Sequence, residues 1–380
     1  MHASECINID DLHAAARRRL PRFVFDFIDG GAGDESAMRR NRDALDRVRL
    51  VPRQLVDATR CDPGAELCGR RWSYPFGIAP IGLAGLARHG ADAALAQAAA
   101  EAHIPYILST AATTTIEAVA RVASGHLWFQ LYVTRDREIT RDLMRRAQEA
   151  GVEVLVVTVD SQVPGRRERN LRNGFTLPLR PSLGRLLDFA SRPAWCLDML
   201  RHGSPRLSNL APYARAGAGA QSLAELIAEQ IDPSLDWPDI EAIRAVWSGK
   251  MIIKGLMCVD DALRAARIGA DGIVVSNHGG RQIDATPAPI EVLPQIAAAV
   301  GARLPVLLDG GMRSGSDIAK ALALGARFVL VGRAAVYGVA TGGRVGADRA
   351  LQILAEQFDS ALAQLGCHAP AQLGDALWRP

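Results

Sequence analysis

Lysine is scarce in this sequence. Only Lys250, Lys254 and Lys320 occur among 380 residues, and arginine supplies the rest of the Lys-plus-Arg total of 44. A compact ammonium group on a flexible stem can shift its pKa and reach a small oxyanion in ways that a guanidinium group cannot. We therefore expect a chemical reason for each lysine. Lys254, which ends the apolar run "MII", is the first candidate.

Other absences narrow the class of protein. No uninterrupted apolar run is long enough to span a membrane, the six cysteines contain no CxxC pair, and the N-terminus lacks the apolar core of a signal peptide. The net charge of +3 is spread along the chain without a basic stripe. We expect a cytoplasmic protein in a reducing setting, with no nucleic-acid partner and no metal site.

Eight short apolar runs indicate the fold. Stretches with helical spacing at residues 91–103, 137–151, 259–270 and 314–326 lie between them. Runs too apolar to leave one face in water predict a parallel sheet covered by helices, and eight repeats favour a closed (β/α)8 barrel in a single domain, 1–380. A doubly wound open sheet is the alternative. The runs are residues 76–80, 105–110, 127–132, 154–160, 251–255, 272–275, 305–311 and 328–333.

Polar residues follow these runs at the ends where barrel enzymes carry their chemistry. Any one of them could be an ordinary hydrogen-bonded polar group at a strand end, so the argument rests on the repetition. The residues are Gln130, Tyr132, Thr158, Asp160, Lys254, Ser276, His278, Asp309 and Arg333.

The segment "SNHGGRQID", residues 276–284, is the most unusual of these strand ends. His278 can accept a proton, Arg281 can hold a carboxylate, and the two glycines permit a close approach to the backbone. A glycine turn with a surface histidine and arginine is the alternative.

Two glycine-rich segments, "DGGMRSGSDI" and "GRAAVYG", follow the seventh and eighth runs. The corresponding loops of barrels commonly bind phosphate at a helix start, and Arg313 and Arg333 add positive charge. Tight turns with surface arginines are the alternative. A phosphorylated cofactor across the barrel mouth would bring its ring near Lys254, which can stabilise negative charge there or, alternatively, form a Schiff base.

Two regions lie outside the repeat. Residues 1–67 are expected to form N-terminal helices and a loop, "FVFDFIDGGAGDE", that caps the barrel mouth. The connection over residues 161–248 is much longer than a barrel requires, and residues 176–238 within it are interpreted as an insert, either a lid or a membrane segment.

The motifs "LWFQLYV", "TVDSQVPGRRERN", "IIKG", "SNHGGRQID", "LDGGMRSGSDIAKALALGA" and "VGRAAVYG" occur in this order over nearly the whole chain. With them the sequence resembles the family of FMN-dependent enzymes that oxidise L-2-hydroxy acids. The resemblance implies a small 2-hydroxy acid as substrate and FMN as cofactor. It implies FMN contacts from Ala79, Pro80, Ile81, Ser109, Gln130, Thr158, Lys254, Ser276, Asp309, Gly311, Arg313, Gly332 and Arg333.

The resemblance also implies catalytic roles. His278 would be the base and Asp160 would stabilise its charged form, while Lys254 would stabilise the reduced flavin. The substrate carboxylate and reacting oxygen would be held by Arg281, Arg167 and Tyr132. An oxygen-using oxidase, a Schiff-base aldolase and a non-catalytic flavin protein remain alternatives at this point.

Two departures from the family pattern concern the substrate. We place the family's active-site tyrosine at Phe25 in "VFDF", and Ala111 in "LSTAATTT" replaces a bulky aromatic residue. The missing hydroxyl and the added space favour a larger or more apolar substrate than glycolate, such as mandelate or a branched or long-chain hydroxy acid. Lactate is the alternative.

The segment over residues 179–207 mixes Leu, Phe, Trp and Met with five arginines and two aspartates. This composition suits a segment lying in the headgroup region of an anionic membrane, and equally a lid packed on the barrel or on a neighbouring subunit. A similar segment in family members is linked to membrane attachment and a quinone acceptor. We therefore expect peripheral attachment at the cytoplasmic face, a quinone or other electron acceptor, and a homo-oligomer.

Overall fold

Eight parallel strands close into a barrel in the computed structural model, which describes residues 2–174, 183–213 and 231–379. The predicted (β/α)8 architecture is confirmed, and each apolar run coincides with one strand, of which only the strand Lys250–Leu256 extends beyond its run. A two-stranded antiparallel hairpin, β1 (Ala65–Leu67) and β2 (Arg70–Trp72), precedes the barrel. The barrel strands are β3 (Phe76–Ile78), β4 (Tyr106–Ser109), β5 (Leu127–Leu131), β6 (Val154–Thr158), β7 (Lys250–Leu256), β8 (Gly272–Val275), β9 (Val306–Leu308) and β10 (Phe328–Val331). They pair in chain order, and β10 closes the barrel on β3.

The barrel interior is a packed core. Ile107, Trp128, Ile252 and Phe328 belong to one cluster of buried residues contributed by successive strands. Trp72 of the hairpin joins the same cluster and donates its Nε1–H to the carbonyl of Leu67. Because the interior is filled, polar chemistry is confined to the strand ends.

Helices surround the barrel. The four stretches with helical spacing are confirmed as the helices Ala91–Glu101, Arg137–Glu149, Val259–Arg267 and Gly315–Ala323. The helices are α1 (Ile9–Arg19), α2 (Arg22–Asp29), α3 (Ser36–Arg47), α4 (Ala91–Glu101), α5 (Ile116–Ala120), α6 (Arg137–Glu149), α7 (Glu168–Arg172), α8 (Leu183–Ala190), α9 (Pro193–His202), α10 (Trp237–Val246), α11 (Val259–Arg267), α12 (Pro289–Val300), α13 (Gly315–Ala323), α14 (Arg333–Gly342) and α15 (Arg344–Leu365).

The segment "FVFDFIDGGAGDE" is only partly a loop, which corrects the expectation from sequence. Its first seven residues lie in α2, and Phe23, Phe25 and Ile28 bury their side chains in the main core. The spacing of Val24, Phe25 and Ile28, at positions i, i+1 and i+4, suits one face of a helix, and packing against the barrel stabilises it. The C-terminal end of α2 reaches the barrel mouth, since Phe27 and Ile28 line the cavity there.

The long insert contains α8 and α9, and both pack on the N-terminal helices. The rings of Phe189 and Trp195 lie 5.9 Å from that of Phe23 between centroids, and Trp195 donates its Nε1–H to the carbonyl of Leu86. Residues 175–182 and 214–230 of this region lie outside the described residues. Helix α10 begins at Trp237, so the last two residues of the predicted insert, 176–238, belong to that helix. Within the described ranges, no helix has the length and apolar character needed to cross a membrane.

Candidate active site

The polar strand ends meet in one cavity at the barrel mouth. Phe27, Ile28, Gly82, Gly310 and Met312 also line it and were not anticipated from the sequence. The predicted site residues on its wall are Ala79, Pro80, Ile81, Tyr132, Thr158, Lys254, His278, Arg281, Asp309, Gly311, Arg313, Gly332 and Arg333. Asp160 and Ser276 contact this wall through hydrogen bonds to His278 and Lys254. Ser109, which is hydrogen-bonded to Gln130, has its Oγ 4.0 Å from the position of a Cβ on Gly82 of the wall.

His278 follows β8 in a left-handed backbone conformation. Its φ is +56°, and Gly279 and Gly280 continue with φ of +64° and +74°. A non-glycine residue rarely adopts this conformation, which commonly marks a functional site. At Gly280 a side chain would also lie 2.8 Å from the backbone nitrogen of Met38. The two glycines therefore allow the turn to pack against α3 while the histidine ring faces the cavity.

Asp160 fixes the histidine ring. The Nδ1 of His278 lies 2.8 Å from Oδ1 of Asp160, and Ser161 donates its hydroxyl to the same oxygen over 3.0 Å. Burial alone would raise the pKa of Asp160, but the positive charges facing it from His278 and Lys254 lower it to about 2. The ionised carboxylate can only accept, so Nδ1 carries the proton and Nε2 keeps its lone pair.

Burial also lowers the pKa of His278, because a charged ring is poorly solvated there; the carboxylate of Asp160 opposes this shift. The imidazole is therefore neutral near pH 7. A neutral ring with a free Nε2 at the wall of a cavity has the state that a general base requires.

Lys254 lies at the centre of the site, with its side chain almost completely buried. Its Nζ is 3.1 Å from Oδ2 of Asp309 and 3.9 Å from Oδ2 of Asp160, and it donates to the hydroxyl of Ser276. Burial favours the neutral amine, but the carboxylates of Asp309 and Asp160 outweigh it and raise the pKa of Lys254. A Schiff-base nucleophile must be neutral, so this environment disfavours the aldolase alternative.

A bulge in β7 makes this arrangement possible. The register with β8 shifts between Lys254 and Leu256, where Gly255 has φ of +111°. A Cβ on Gly255 would lie 2.6 Å from the Cβ of Asp160. Gly255 therefore lets the end of β7 approach the end of β6 closely. Asp160, which follows β6, can then face both Lys254 and His278.

Arg281 and Arg333 both bind the C-terminal end of α2. Arg281 donates to the carbonyls of Phe27 and Gly30 over 2.8 and 2.6 Å, and Arg333 donates to that of Gly30 over 2.9 Å. Burial, followed by the positive charges of Arg167 and Arg333, lowers the pKa of Arg281. A helix C-terminus attracts cations, and these contacts hold the cap on the barrel mouth.

A second cavity of about 530 Å³ adjoins the first and opens toward α7. Tyr132, His278 and Arg281 line both cavities, and Arg167 lines the outer one. Burial lowers the pKa of Arg167, and its Nε is buried without a hydrogen-bond partner within the described ranges. Burial, followed by the charge of Asp160, raises the pKa of Tyr132, which keeps the phenol protonated.

The placement of Phe25 differs from expectation. Phe25 does not line either cavity; its ring packs 5.2 Å from that of His13 in the core. Phe27 lines both cavities instead. Two residues along a helix rotate a side chain by about 200°, so Phe25 and Phe27 point to opposite sides of α2. The helical period of the segment is the signal that would have identified Phe27.

Several buried polar atoms at the mouth have no hydrogen-bond partner in the part of the chain that the structure describes. Ser109 and the backbone N–H of Thr110 donate to Oε1 of Gln130, which leaves the Nε2 donor of that amide unpartnered. The hydroxyl of Thr158 and Oδ1 of Asp309 are unpartnered as well. Buried polar groups normally find partners, so a ligand with both donors and acceptors along its length fits this surface.

The two glycine-rich turns differ in their capacity to bind an anion. At the start of α13, Ser314 and Asp317 form a capping box that uses the first N–H groups. At the start of α14, Gly332 provides no side-chain cap, and the nearest atom to an added Cβ would be that of Ala79 at 3.8 Å. The open N-terminus of α14, with Arg313 and Arg333 beside it, is therefore the better phosphate position.

Fold and site together define a barrel oxidoreductase with a cradle for a phosphorylated ring cofactor. The sequence profile of FMN-dependent dehydrogenases matches residues 16–380, and the chain belongs to this family. FMN is accordingly its cofactor. The unpartnered amide, hydroxyl and carboxylate suit the polar edge and ribityl hydroxyls of FMN, and the α14 N-terminus suits its phosphate.

Relatives agree with this assignment over nearly full length. The chain is 44% identical over 360 residues to (S)-mandelate dehydrogenase of Pseudomonas putida, covering 95% of this chain and 90% of that protein. It is 44% identical over 368 residues to L-lactate dehydrogenase of Caulobacter vibrioides, covering 97% and 96%. A crystal structure of (S)-mandelate dehydrogenase, described as a monotopic membrane protein, superimposes with a TM-score of 0.94 at 42% identity, covering 99% of this chain and all of that one.

The buried charges around Lys254 generate a prediction about stability. Lys254→Met should destabilise the apoprotein by about 3–5 kcal/mol at pH 7, because it leaves two carboxylates buried without a positive charge. Lys250→Met on the same strand is the control; its pair with Asp271 is half-exposed, so the cost should stay below about 1 kcal/mol. Chemical denaturation measures both. Equal losses, or no partial rescue of Lys254→Met by Asp309→Asn, would contradict the assignment.

Proposed function

We propose that the protein oxidises an (S)-2-hydroxy acid to the 2-oxo acid, with His278 as the base. The observation that carries this proposal is the His278–Asp160 pair, 2.8 Å apart, at a cavity where Arg281 and Arg167 converge. The site thus offers a proton acceptor next to groups that bind a carboxylate. When bound, FMN supplies a two-electron acceptor.

The protein's own residues would divide the remaining work. His278 would take a proton at Nε2, and Asp160 would then stabilise the imidazolium through its bond to Nδ1. Arg281 and Arg167 would bind the substrate carboxylate, which would neutralise part of their mutual repulsion. Tyr132, protonated at neutral pH, would donate to a substrate oxygen.

Cofactor binding would use the partnerless groups described above. We propose that Gln130, Thr158 and Lys254 face the flavin ring, and that Ser109, Ser276 and the backbone of residues 79–81 support it. Asp309 would accept from the ribityl chain. Gly311, Arg313, Gly332 and Arg333 would hold the phosphate, and Lys254 would place its positive charge beside the ring.

His278→Gln should leave FMN bound and lower the rate of flavin reduction by at least about a hundredfold, because it removes the proton acceptor and no cofactor contact. Anaerobic stopped-flow mixing with substrate measures this rate. His103→Gln, before β4 at the opposite end of the barrel, is the control and should reduce normally.

The pH dependence provides a second readout for the same assignment. A base must be neutral, and the lowered pKa of His278 places the acid limb of kcat/KM below the ordinary histidine value of 6.5. Asp160→Asn removes the carboxylate that opposes the shift and should move that limb lower still. An unchanged acid limb in Asp160→Asn, or unimpaired reduction in His278→Gln, would refute the role of His278.

The outer cavity favours a substrate with a large apolar side chain. Leu83, Ala111, Leu171 and Ile231 line it beside Phe27. The Cβ of Ala111 is 3.3 Å from the position that a Cβ would take on Gly82, so both small residues leave room between the cap and the barrel. We propose an aromatic or long-chain 2-hydroxy acid, such as mandelate, as the preferred substrate.

Ala111→Trp should fill part of this space. We expect kcat/KM for mandelate to fall by at least about tenfold while that for glycolate changes little, since only the larger side chain meets the new indole. Flavin reduction by a panel of 2-hydroxy acids measures both values, and glycolate serves as the internal control. Glycolate as the best substrate of the parent enzyme would contradict the substrate proposal.

We further propose that the insert attaches the protein to the cytoplasmic face of an anionic membrane, with a quinone as acceptor. Leu186, Leu187 and Leu200 are 57%, 65% and 82% exposed on α8 and α9. Asp188 and Asp198 accept the backbone N–H groups of Arg22 and His89, so the acidic groups of the insert serve docking. Its exposed arginines include Arg201 and Arg206.

This surface suits insertion between headgroups, because the apolar and basic side chains point outward while aromatic side chains hold the helices on the barrel. The alternative interpretation of the insert as a lid also holds in part, because the inner sides of α8 and α9 pack on the rest of the protein. The monotopic character of the similar mandelate dehydrogenase supports attachment. We also propose assembly into a homo-oligomer.

Replacing Leu186, Leu187 and Leu200 by Gln should abolish sedimentation with anionic vesicles at low salt while flavin reduction in solution persists. The control replaces Ile7, Leu55 and Val246, which are 73%, 106% and 63% exposed elsewhere, by Gln. Equal loss in both variants, or a parent protein that stays in the supernatant, would refute attachment. Faster reoxidation of the reduced parent by oxygen than by a quinone would refute the acceptor.

A further inference from the structure

A third cavity, of about 560 Å³, lies away from the barrel mouth, between α1, the turn that joins α8 to α9, and the junction of α14 with α15. Its charged and titratable side chains are Arg18, Arg19, Arg192 and His2. Its wall contains no aspartate or glutamate within the ranges that the structure describes. None of these residues lines the active-site cavities.

Arg19 is the residue that sets this cavity apart. Its Nε is buried and has no hydrogen-bond partner among the described residues. Burial, followed by the positive charge of Arg88, lowers the pKa of the Arg19 guanidinium, while Asp198 opposes the shift. Arg88 itself reaches within 3.0 Å of the position of a Cβ on Gly343, beside the cavity wall. A buried donor among like charges is costly unless an anion joins it.

The opposite wall contributes a helix N-terminus. Helix α9 begins at Pro193, and its N-cap residue, Arg192, makes no side-chain cap. Arg192 donates its Nε–H to the carbonyl of Leu20, which holds its guanidinium at the edge of α1. Ala194, in the first turn of α9, also lines the cavity. The positive end of α9 and three arginines therefore face one space.

We propose that this cavity is a binding site for a phosphate group, either as a free phosphate or as the headgroup of a phospholipid. Arginine forks bind phosphate oxygens bidentately, and the dipole of α9 favours the same anion at its N-terminus. The site is separate from the active site and does not depend on the proposed oxidation. Arginines at the end of α1 also complement its dipole, but that role does not require a buried, unpartnered Nε or the approach of Arg192.

The position of the cavity connects it with the insert. Residues 191–194, which form one lip, are the turn after α8 and the first two residues of α9, and the outer sides of these two helices expose leucines. A headgroup phosphate in the cavity would fix the depth of these helices in a lipid surface. A free phosphate in the same place would instead tie the insert to α1 without any membrane.

The test uses the FMN-loaded protein, so that the cofactor already occupies its own phosphate position. Inorganic phosphate and dihexanoyl phosphatidylglycerol, which dissolves as a monomer, are titrated by calorimetry. Arg19→Gln is compared with Arg17→Gln. This control makes the same charge change two residues earlier on α1, at a position outside the cavity wall. We expect Arg19→Gln to weaken binding by at least about tenfold, the loss of one charge-assisted hydrogen bond, and Arg17→Gln to bind like the parent.

A second pair of variants covers the case in which Arg19→Gln fails to fold. Ala194 is exposed at the lip, so Ala194→Glu should fold normally and place a carboxylate in the cavity. Ala194→Gln has nearly the same shape without the charge. We expect Ala194→Glu to abolish binding of the titrated ligand and Ala194→Gln to retain it.

Inorganic phosphate, dihexanoyl phosphatidylglycerol and vesicles together distinguish a site for free phosphate from a site for a phospholipid headgroup. Loss of inorganic phosphate binding in Arg19→Gln, with unchanged sedimentation on phosphatidylglycerol vesicles, identifies a free phosphate site. Loss of both dihexanoyl phosphatidylglycerol binding and sedimentation identifies a headgroup site. The proposal is overturned if neither ligand binds the parent, if Arg17→Gln weakens binding as much as Arg19→Gln, or if Ala194→Glu and Ala194→Gln behave alike.

Discussion

The site depends on a chain of buried ionised and polar side chains that runs from Asp309 through Lys254 and Asp160 to His278. Its positive member, Lys254, lies 3.1 and 3.9 Å from the carboxylates of Asp309 and Asp160. Each carboxylate then has a further task, since Asp160 orients His278 and Asp309 presents its other oxygen to the cofactor cradle. Removing Lys254 would leave two carboxylates buried without a positive charge, so the fold constrains Asp309, Lys254 and Asp160 together.

The cap of the barrel mouth is held by charge as well as by packing. Arg281, in the loop after β8, and Arg333, at the start of α14, donate to the carbonyls at the C-terminal end of α2. The helix that carries Phe27 is thereby tied to the same side chains proposed to bind substrate and phosphate. The carbonyls of α2 are the acceptors that hold Arg281 and Arg333 in place. The same contacts therefore cover the barrel mouth and position the arginines that face an anion.

The composition of the insert left two alternatives, a lid packed on the barrel and a segment in contact with a membrane, and the insert has features of both. Aromatic rings on its inner side, Phe189 and Trp195, pack on Phe23, while leucines on its outer side are exposed. The docked side positions Arg192 against α1, which creates the basic cavity beside Arg19. Docking on the barrel and contact with a lipid surface are therefore compatible functions of one pair of helices.

The sequence by itself determined the eight strands and the identity of the polar residues that end them, because apolar runs and strand ends are local features of the chain. The "SNHGG" turn and the position of Lys254 could be read in the same way. The sequence did not place Phe25 and Phe27 correctly, since α2 becomes a helix through packing on the barrel and its period decides which ring reaches the cavity. Nor did it indicate that Arg281 would bind the carbonyls of α2 or that Arg19 would face Arg192, residues separated by more than a hundred positions. Only the tertiary structure decided these contacts, because long-range partners depend on how helices dock and not on the residues that neighbour them in the chain.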